Sequence, residues 1–184
     1  MRWDELFRDL EGQLEAAEGA ELATEVADRT RREVAQLRLL DRLAPGVGHQ
    51  VRLQVAGAGL VSGRLEQVGA EWLLVAEAAG RQAVVPVAAV LSAGGLGVLS
   101  RTPGQEGRVV ARLGLGSALR AIARDRLQVT VVLLDGSALT GTVDRVGADF
   151  LEMAEHGPGE PRRRGEVSGM RAVPFAAIAA VRSS

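Results

Sequence analysis

The sequence predicts a mainly β chain, in which a long N-terminal helix is followed by two tandem small five-stranded β-barrels, each preceded by a helix. Three observations lead to this prediction. Apolar residues keep a helical spacing through residues 3–43. A β-rich pattern occurs twice, in residues 47–93 and 108–184. In both copies a glycine, Gly63 or Gly141, interrupts a predicted strand, which is typical of strands that bend around a small barrel.

Residues 1–46 form the predicted N-terminal amphipathic segment, as one long helix or two helices in line. Pro45 and Gly46 end the helical pattern, because neither residue favours its continuation. The pattern slips between Leu14 and Leu22. Its apolar positions are Trp3, Phe7, Leu10, Leu14, Leu22, Val26, Val34, Leu37 and Leu40.

Charge is unevenly distributed along this segment. Residues 1–28 contain nine acidic residues and two arginines, whereas residues 29–43 contain five arginines and two acidic residues. One interpretation is a solvated helix whose charges complement the helix dipole and pair at i,i+4 spacing. The other is that two such helices associate antiparallel, acidic half against basic half, through Arg29, Arg31 and Arg32. The second interpretation would make the protein a dimer.

The start of the helix is a further candidate for association. Trp3, Leu6 and Phe7 precede Leu10 and Leu14 in a sequence with helical apolar spacing. This end either anchors the chain in a groove of a protein partner or folds back onto a barrel of its own chain.

The two β-rich copies align closely. Alignment of Val51 with Val129 places Gly63 over Gly141, and it places VGAEWL at 68–73 over VGADFL at 146–151. After an insertion in the second copy, VPVAAV at 85–90 matches VPFAAI at 173–178. The sequence therefore predicts two copies of one small domain.

Each copy has the pattern of five short strands. In the second copy, apolar residues alternate along residues 129–133, the Asp135-Gly136 pair predicts a hairpin turn, and another strand follows across Gly141. A third strand begins at Phe150, a fourth ends at Pro174, and one tight helical turn precedes a fifth. Five short, strongly bent strands predict a small closed barrel.

This pattern of DG hairpin, mid-strand glycine, VGAD turn and VPxxAI segment resembles the Sm-like (LSm) small β-barrel superfamily, which has an SH3-like architecture. The resemblance covers residues 48–93 and 127–182. It implies assembly through the edge strands of neighbouring barrels and, for many members, binding of RNA. Where nucleotide-binding members carry their characteristic residues, this chain has Gly147, Leu151 and an AVP step from Ala172. The family's uridine pocket is therefore not expected.

A glycine-rich linker over residues 94–107 separates the two copies. A short helix through Arg124, capped by Gly116 or Ser117, is predicted ahead of the second barrel, and Leu119 and Ile122 would face that barrel.

Arginines of this region and of the inserted loop at residues 156–171 are candidate phosphate contacts. Phosphate backbones are bound through positive charge, without sequence-specific residues. The candidates are Arg112, Arg120, Arg124, Arg162, Arg163 and Arg164. The alternative interpretation of the loop is a solvated, flexible segment.

The composition argues against an enzyme. The 184 residues include no cysteine and two histidines, His49 and His156, which lie neither in a metal-ligand spacing nor near a nucleophile motif. Both are interpreted as solvent-exposed loop residues. No catalytic residue, metal, cofactor or small-molecule substrate is predicted.

Composition also limits the cellular location and the classes of partner that are expected. The net charge of −1 lacks the basic excess of most nucleic-acid binders, and aromatic residues for stacking make up 3% of the chain. The sequence lacks a basic and then apolar leader, and its apolar runs fall far short of the roughly 20 residues of a membrane span. A cytoplasmic location without membrane contact is predicted.

The sequence thus predicts a non-catalytic binding or assembly module that engages protein partners, itself included, in a regulatory role. The alternative is an RNA- or DNA-binding regulator whose arginine-rich loop and helix contact phosphates.

Overall fold

The computed structural model describes residues 2–102, 113–157 and 169–183. The chain divides into two compact units, Met1–Arg38 and Leu39–Ser184. The first unit contains one long helix, and the second contains all the described strands.

Helix α1, Arg2–Ala35, makes up most of the first unit. The chain leaves it through two tight turns, in which the Gln36 and Leu37 N–H groups donate to carbonyls three residues earlier. The next helix, α2, spans Leu39–Leu43 and belongs to the second unit. The predicted helical segment is divided here because Leu40 and Leu43 are buried in the core under the sheet.

The second unit is built on ten strands, joined by α2, by α3 (Leu115–Asp125) and by single 3-10 turns. The strands are β1 Gln50–Val55, β2 Gly59–Val68, β3 Trp72–Ala76, β4 Gln82–Pro86, β5 Val90–Gly94, β6 Gln128–Leu133, β7 Ala138–Val146, β8 Phe150–Glu155, β9 Gly169–Pro174 and β10 Ile178–Ser183. They form one antiparallel sheet in the order β5-β1-β2-β3-β4-β10-β6-β7-β8-β9.

Local sequence explains the hairpins and the close strand contacts. Gly136 adopts a φ of 88° in the turn between β6 and β7, which glycine reaches without steric cost. In β7, a Cβ on Gly141 would lie 2.0 Å from the Ala154 carbonyl oxygen of β8, and Gly63 stands in the same relation to Ala76. The two mid-strand glycines of the repeat therefore allow the neighbouring strand to approach closely.

The two copies of the repeat have the same strand register. We call β1–β5 the first half of the sheet and β6–β10 the second half. The matched pairs are Val51–Gly63 with Val129–Gly141, Trp72–Pro86 with Phe150–Pro174, and Leu53–Ala93 with Val131–Val181. By this register, β4 corresponds to β9 and β5 corresponds to β10.

The prediction of two separate five-stranded closed barrels is wrong. β4 of the first half pairs with β10 of the second half, with Ala83 opposite Arg182 and Val84 opposite Val181. This pairing, which we call the internal junction, joins the halves into one open ten-stranded sheet.

Apolar packing across the internal junction explains why the halves do not separate. Trp72 and Val84 of the first half lie in the core cluster of the second half. Val132, Ala179 and Ala180 of the second half lie in the core cluster of the first. Each half therefore buries apolar surface in its neighbour, and separate closure would return that surface to water.

Helix α3 lies immediately before β6, and its start depends on the first half. Its N-cap is Gly114, not Gly116 or Ser117 as predicted. The Leu115 N–H donates to Oε1 of Glu71 over 2.8 Å, which places a carboxylate at the positive end of the helix. Along the helix, Leu119 and Ile122 pack against the second core cluster as expected.

Candidate functional site

The internal junction shows how an edge of this sheet binds another strand. Ala179 and Ala180 of β10 are fully buried there, and Val84 of β4 is 6% exposed. At the end of β10, Arg182 Nε lies 3.1 Å from a carboxylate oxygen of Glu77. The junction thus combines strand pairing, apolar burial and an ion pair.

The outer strands β5 and β9 have no strand on their outer side in the described part of the chain, and we call them the open edges. Leu91 of β5 is 68% exposed, whereas its equivalent in β10, Ala179, is buried. Ala172 of β9 is exposed, whereas its equivalent in β4, Val84, is 6% exposed. The open edges therefore expose the positions that the internal junction buries.

An apolar recess of about 440 Å³ lies at the C-terminal end of β9, between the turn after β6 and the 3-10 turn that precedes β10. It is lined by Leu133, Leu134, Asp135, Pro174, Ala176 and Ala177. In the first half, the register-equivalents of Leu133 and Ala177 are Val55 and Ala89. These two residues lie in one core cluster with Ala179 of β10. In the first half this surface is therefore covered by the second half. The equivalent surface of the second half is left open as the recess.

A polar cleft beside α3 brings together part of the predicted phosphate-binding set. Arg120 and Arg124 line it with Arg126 and Asp144, and its volume is about 370 Å³. Arg120 Nη2 donates to the Gly147 carbonyl over 3.1 Å. Sequence reasoning missed Arg126, which joins the cleft because it ends α3 with a left-handed φ of 51°. Glycine usually occupies that position, so no sequence signal indicated it.

Most other predicted association residues are not placed by the structure. Outside the described residues lie Arg112, Arg162, Arg163 and Arg164. Outside the described side chains of α1 lie Trp3, Leu6, Leu10 and Leu14. Phe7, from the same face, is 58% exposed.

The three arginines proposed to pair two helices are engaged within α1 itself. Arg29 Nε lies 3.1 Å from Glu33, and Arg31 Nη2 lies 3.2 Å from Asp28, both as exposed ion pairs. Arg32 Nε donates to the Asp28 carbonyl over 3.2 Å. These contacts agree with the interpretation of a solvated helix with pairs one turn apart. Antiparallel association of two helices stays a prediction.

The interpretation of His156 as an exposed loop residue is wrong. It is 5% exposed, and its Nε2 lies 2.9 Å from the Thr142 hydroxyl while Nδ1 lies 3.4 Å from Gln128 Nε2. Both ring nitrogens have polar neighbours, as buried polar groups require. His49, in contrast, is exposed.

A buried ion pair that sequence reasoning missed fixes the chain after β5. Arg101 Nη2 lies 3.0 Å from Oδ1 of Asp41, whose side chain is fully buried. The Arg101 N–H also donates to the Asp41 carbonyl over 2.8 Å. Beside it, Arg42 donates to the carbonyls of residues 97–99. Partners about 60 residues apart share no local pattern, so spacing could not reveal them.

Asp135, at the rim of the recess, has a pKa below its ordinary value because of local hydrogen bonds. The Ser137 hydroxyl and the Ser137 N–H both donate to Oδ1 of Asp135, over 2.6 Å and 2.9 Å, and they hold the pKa of that carboxyl below its ordinary value. Because the folded-state pKa is the lower one, the stabilisation is present above the ordinary pKa. It is lost as the pH falls through the folded-state pKa.

We expect Ser137→Ala to raise the pKa of Asp135 toward its ordinary value, because the hydroxyl that makes the larger contribution is removed. An NMR pH titration of the Asp135 carboxyl measures this shift. Ser62→Ala, in β2, is the control and should leave the titration unchanged. An unchanged pKa in Ser137→Ala would show that the hydroxyl does not cause the shift.

Comparison with known proteins adds no family. No protein-family model matches this chain, and no curated protein is significantly similar to it. Among the described residues, no group of three or more histidine, cysteine, aspartate or glutamate side chains is placed to hold a metal ion. No helix within the described ranges has the length and apolar character needed to cross a membrane. The Sm-like resemblance stays a prediction from the sequence pattern.

Proposed function

We propose that this protein is a non-catalytic assembly module that binds other polypeptide chains, itself included, through its two open edges. One observation supports this above all. The open edges β5 and β9 are the equivalents of β10 and β4, which pair with each other inside the chain. An edge strand offers a row of unpaired N–H and C=O groups to a further strand. The proposed role is regulatory and the proposed compartment is the cytoplasm.

The composition of the open edges also supports the proposal. Natural proteins usually protect an edge strand with charged residues or proline. β5, with the sequence VLSAG, has neither, and it exposes Leu91. β9 contains one charged residue, Arg171, whose Nε is held 3.1 Å from the Glu155 carboxylate of the neighbouring strand. Its proline, Pro174, is the last residue of the strand, as Pro86 is in β4, which pairs with β10. Both edges are therefore chemically suited to pairing.

The first test is the molar mass of the purified protein, measured by size-exclusion chromatography with light scattering. We expect a mass of two or more chains. Leu91→Asp should reduce it to one chain, because a carboxylate at that position would have to be buried in the paired edge.

Leu60→Asp is the matched control. Leu60 is 60% exposed on β2, and its second-half equivalent, Ala138, stays exposed although the neighbouring edge is paired. The control should keep the mass of the parent protein. A single-chain mass of the parent protein at high concentration, or equal masses for both aspartate variants, would contradict the proposal.

A second function, RNA or DNA binding, is favoured by the cleft that groups Arg120 and Arg124 with Arg126. Three arginines that line one polar cleft suit phosphate oxygens, and Asp144 adds one carboxylate to the lining. The same chromatography distinguishes this function if the protein is purified without nuclease at low salt. A 260/280 nm absorbance ratio typical of nucleic acid that falls as salt is raised would favour it, whereas a protein spectrum at every salt concentration would not.

A further inference from the structure

We propose that the turn between β7 and β8, residues 147–149, is a docking site for the start of a helix in a partner protein. This turn is separate from the open edges, so the inference goes beyond the proposed function. It begins from the equivalent turn between β2 and β3, residues 69–71, which already binds the start of α3. We call residues 69–71 the occupied turn and residues 147–149 the docking turn.

The occupied turn binds the start of α3 at two points. The Ala70 N–H donates to the Leu113 carbonyl over 3.1 Å. The Leu115 N–H donates to Oε1 of Glu71 over 2.8 Å. A carboxylate is favourable there, because the first N–H groups of a helix lack partners within the helix and carry the positive end of its dipole. The turn thus gives one donor and one acceptor to the main chain on either side of the N-cap, Gly114.

The docking turn has the backbone conformation of the occupied turn. In the occupied turn, the Gly69 N–H donates to the Trp72 carbonyl over 2.8 Å. In the docking turn, the Gly147 N–H donates to the Phe150 carbonyl over the same distance. In both, the carbonyl of the third residue accepts from the first N–H of the 3-10 turn after the fourth strand of its half, over 2.9 Å and 2.7 Å. The two turns are therefore equivalent in structure as well as in sequence.

The Ala148 N–H and the Asp149 carboxylate are the docking turn's equivalents of the two groups that bind α3. Both residues are exposed. Within the described ranges, neither group has a hydrogen-bond or ion-pair partner. Arg120 of α3 donates to the neighbouring Gly147 carbonyl over 3.1 Å and leaves both groups accessible. The docking turn therefore offers the same donor and the same kind of acceptor to another polypeptide.

Burial beside the two turns differs as the presence of a bound helix start predicts. Val68 and Trp72, which flank the occupied turn, are 7% and 4% exposed. Their equivalents Val146 and Phe150 are half-buried. Part of the difference comes from the start of α3 itself, because Trp72 Nε1 donates to the Leu113 carbonyl over 2.8 Å.

The chemistry of the docking turn defines the segment that fits it. Asp149 is one methylene shorter than Glu71, so the partner helix must approach more closely. A Cβ on Gly114 would already lie 3.0 Å from Oε1 of Glu71, and the partner therefore needs glycine at its N-cap. Phe150 has no counterpart of the Trp72 N–H, so the partner's carbonyl receives one hydrogen bond instead of two. The expected partner presents a glycine-capped helix start without acidic residues, which Asp149 would repel.

An acetylated peptide of residues 113–127 is the probe, because this segment makes the equivalent contacts at the occupied turn. Titrated into isotopically labelled full-length protein, it should shift the Ala148 amide signal in NMR spectra in a saturable manner. Asp149→Asn should weaken binding about fivefold, because the carboxylate accepts a charge-assisted hydrogen bond at the positive end of the helix. Asp125→Asn, at the exposed end of α3, is the control and should leave binding unchanged.

Two variants of the peptide test the hydrogen bond to Asp149. Leu115→Pro removes the donated N–H, and proline is compatible with the first position of a helix. Leu115→Ala keeps the N–H and should bind as the parent peptide does. The proline peptide should bind about fivefold more weakly and should not respond further to Asp149→Asn, because the two changes remove the same contact. All three peptides carry the same charge, so equal binding of the proline peptide would indicate non-specific attraction and overturn the inference.

Three further results bear on the assignment. Absence of a saturable Ala148 shift at millimolar peptide, or a shift of the Ala70 signal in its place, would overturn it. An Ala148 signal that moves with protein concentration in the absence of peptide would identify a second copy as the occupant and overturn the assignment to a separate partner. The proposed function is judged independently by molar mass. A single-chain mass together with a saturable Ala148 response would contradict association through the open edges and leave this inference standing.

Discussion

Asp41→Ala is expected to reduce the free energy of unfolding of the second unit by about 3–5 kcal/mol, the usual cost of removing one partner from a buried ion pair. The Asp41 side chain is fully buried, and Arg101, its partner at 3.0 Å, is 19% exposed. Without the carboxylate, the Arg101 guanidinium is left in a poorly hydrated place. Its Nε already lacks a hydrogen-bond partner. Urea unfolding followed by circular dichroism measures the loss.

An exposed ion pair provides the contrast. Arg145→Gln removes a pair of the same unit, with Glu152, whose members are 81% and 31% exposed, and should cost less than about 1 kcal/mol. Equal effects for the two substitutions would show that burial of Asp41 does not determine its contribution.

The position of the Asp41 pair connects stability to the proposed function. Arg101 and the carbonyls held by Arg42 lie in the segment that leaves β5, one of the two open edges. An edge that is already held extended binds a partner strand more tightly, because ordering it during binding would cost about 1–2 kcal/mol per residue. We infer that α2 keeps the end of this edge in place.

The sequence was sufficient to predict the local structure of the sheet. Repetition of VGAEWL as VGADFL, with the mid-strand Gly63 and Gly141, predicted equivalent strands in both halves, and the Asp135-Gly136 pair predicted the turn between β6 and β7. These features depend on neighbours a few residues away. They are therefore encoded by spacing and residue type.

The pairing of the halves could not be predicted in the same way. The segment AVVP of β4 is apolar whether it closes its own barrel or pairs with β10, so its composition fits either arrangement. The decision depends on packing of Trp72 and Val84 against the second half. The candidate binding surfaces could not be predicted either, because an open sheet has two edges that a closed barrel lacks.

Trp72→Ala is expected to reduce the free energy of unfolding by about 3–5 kcal/mol, the usual cost of truncating a buried aromatic residue. Trp72 is 4% exposed and lies in the core cluster of the second half although it belongs to the first. Its Nε1 also donates to the Leu113 carbonyl over 2.8 Å, just before α3. One ring therefore stabilises both halves.

Because the halves share their cores, the loss should appear in both. Amide hydrogen exchange of the Trp72→Ala variant should show reduced protection in β7 and β8 as well as in β3, and urea unfolding should remain a single transition. Trp72→Phe is the control, since phenylalanine occupies the equivalent position, Phe150, in the second half. Trp72→Phe retains most of the packing, and the Leu113 carbonyl still accepts a hydrogen bond from the Ala70 N–H. We therefore expect the free energy of unfolding to fall by about 1 kcal/mol. Unchanged protection of β7 and β8 in Trp72→Ala would mean that the halves unfold independently, and the internal junction would then be too weak to serve as the pattern for association between molecules.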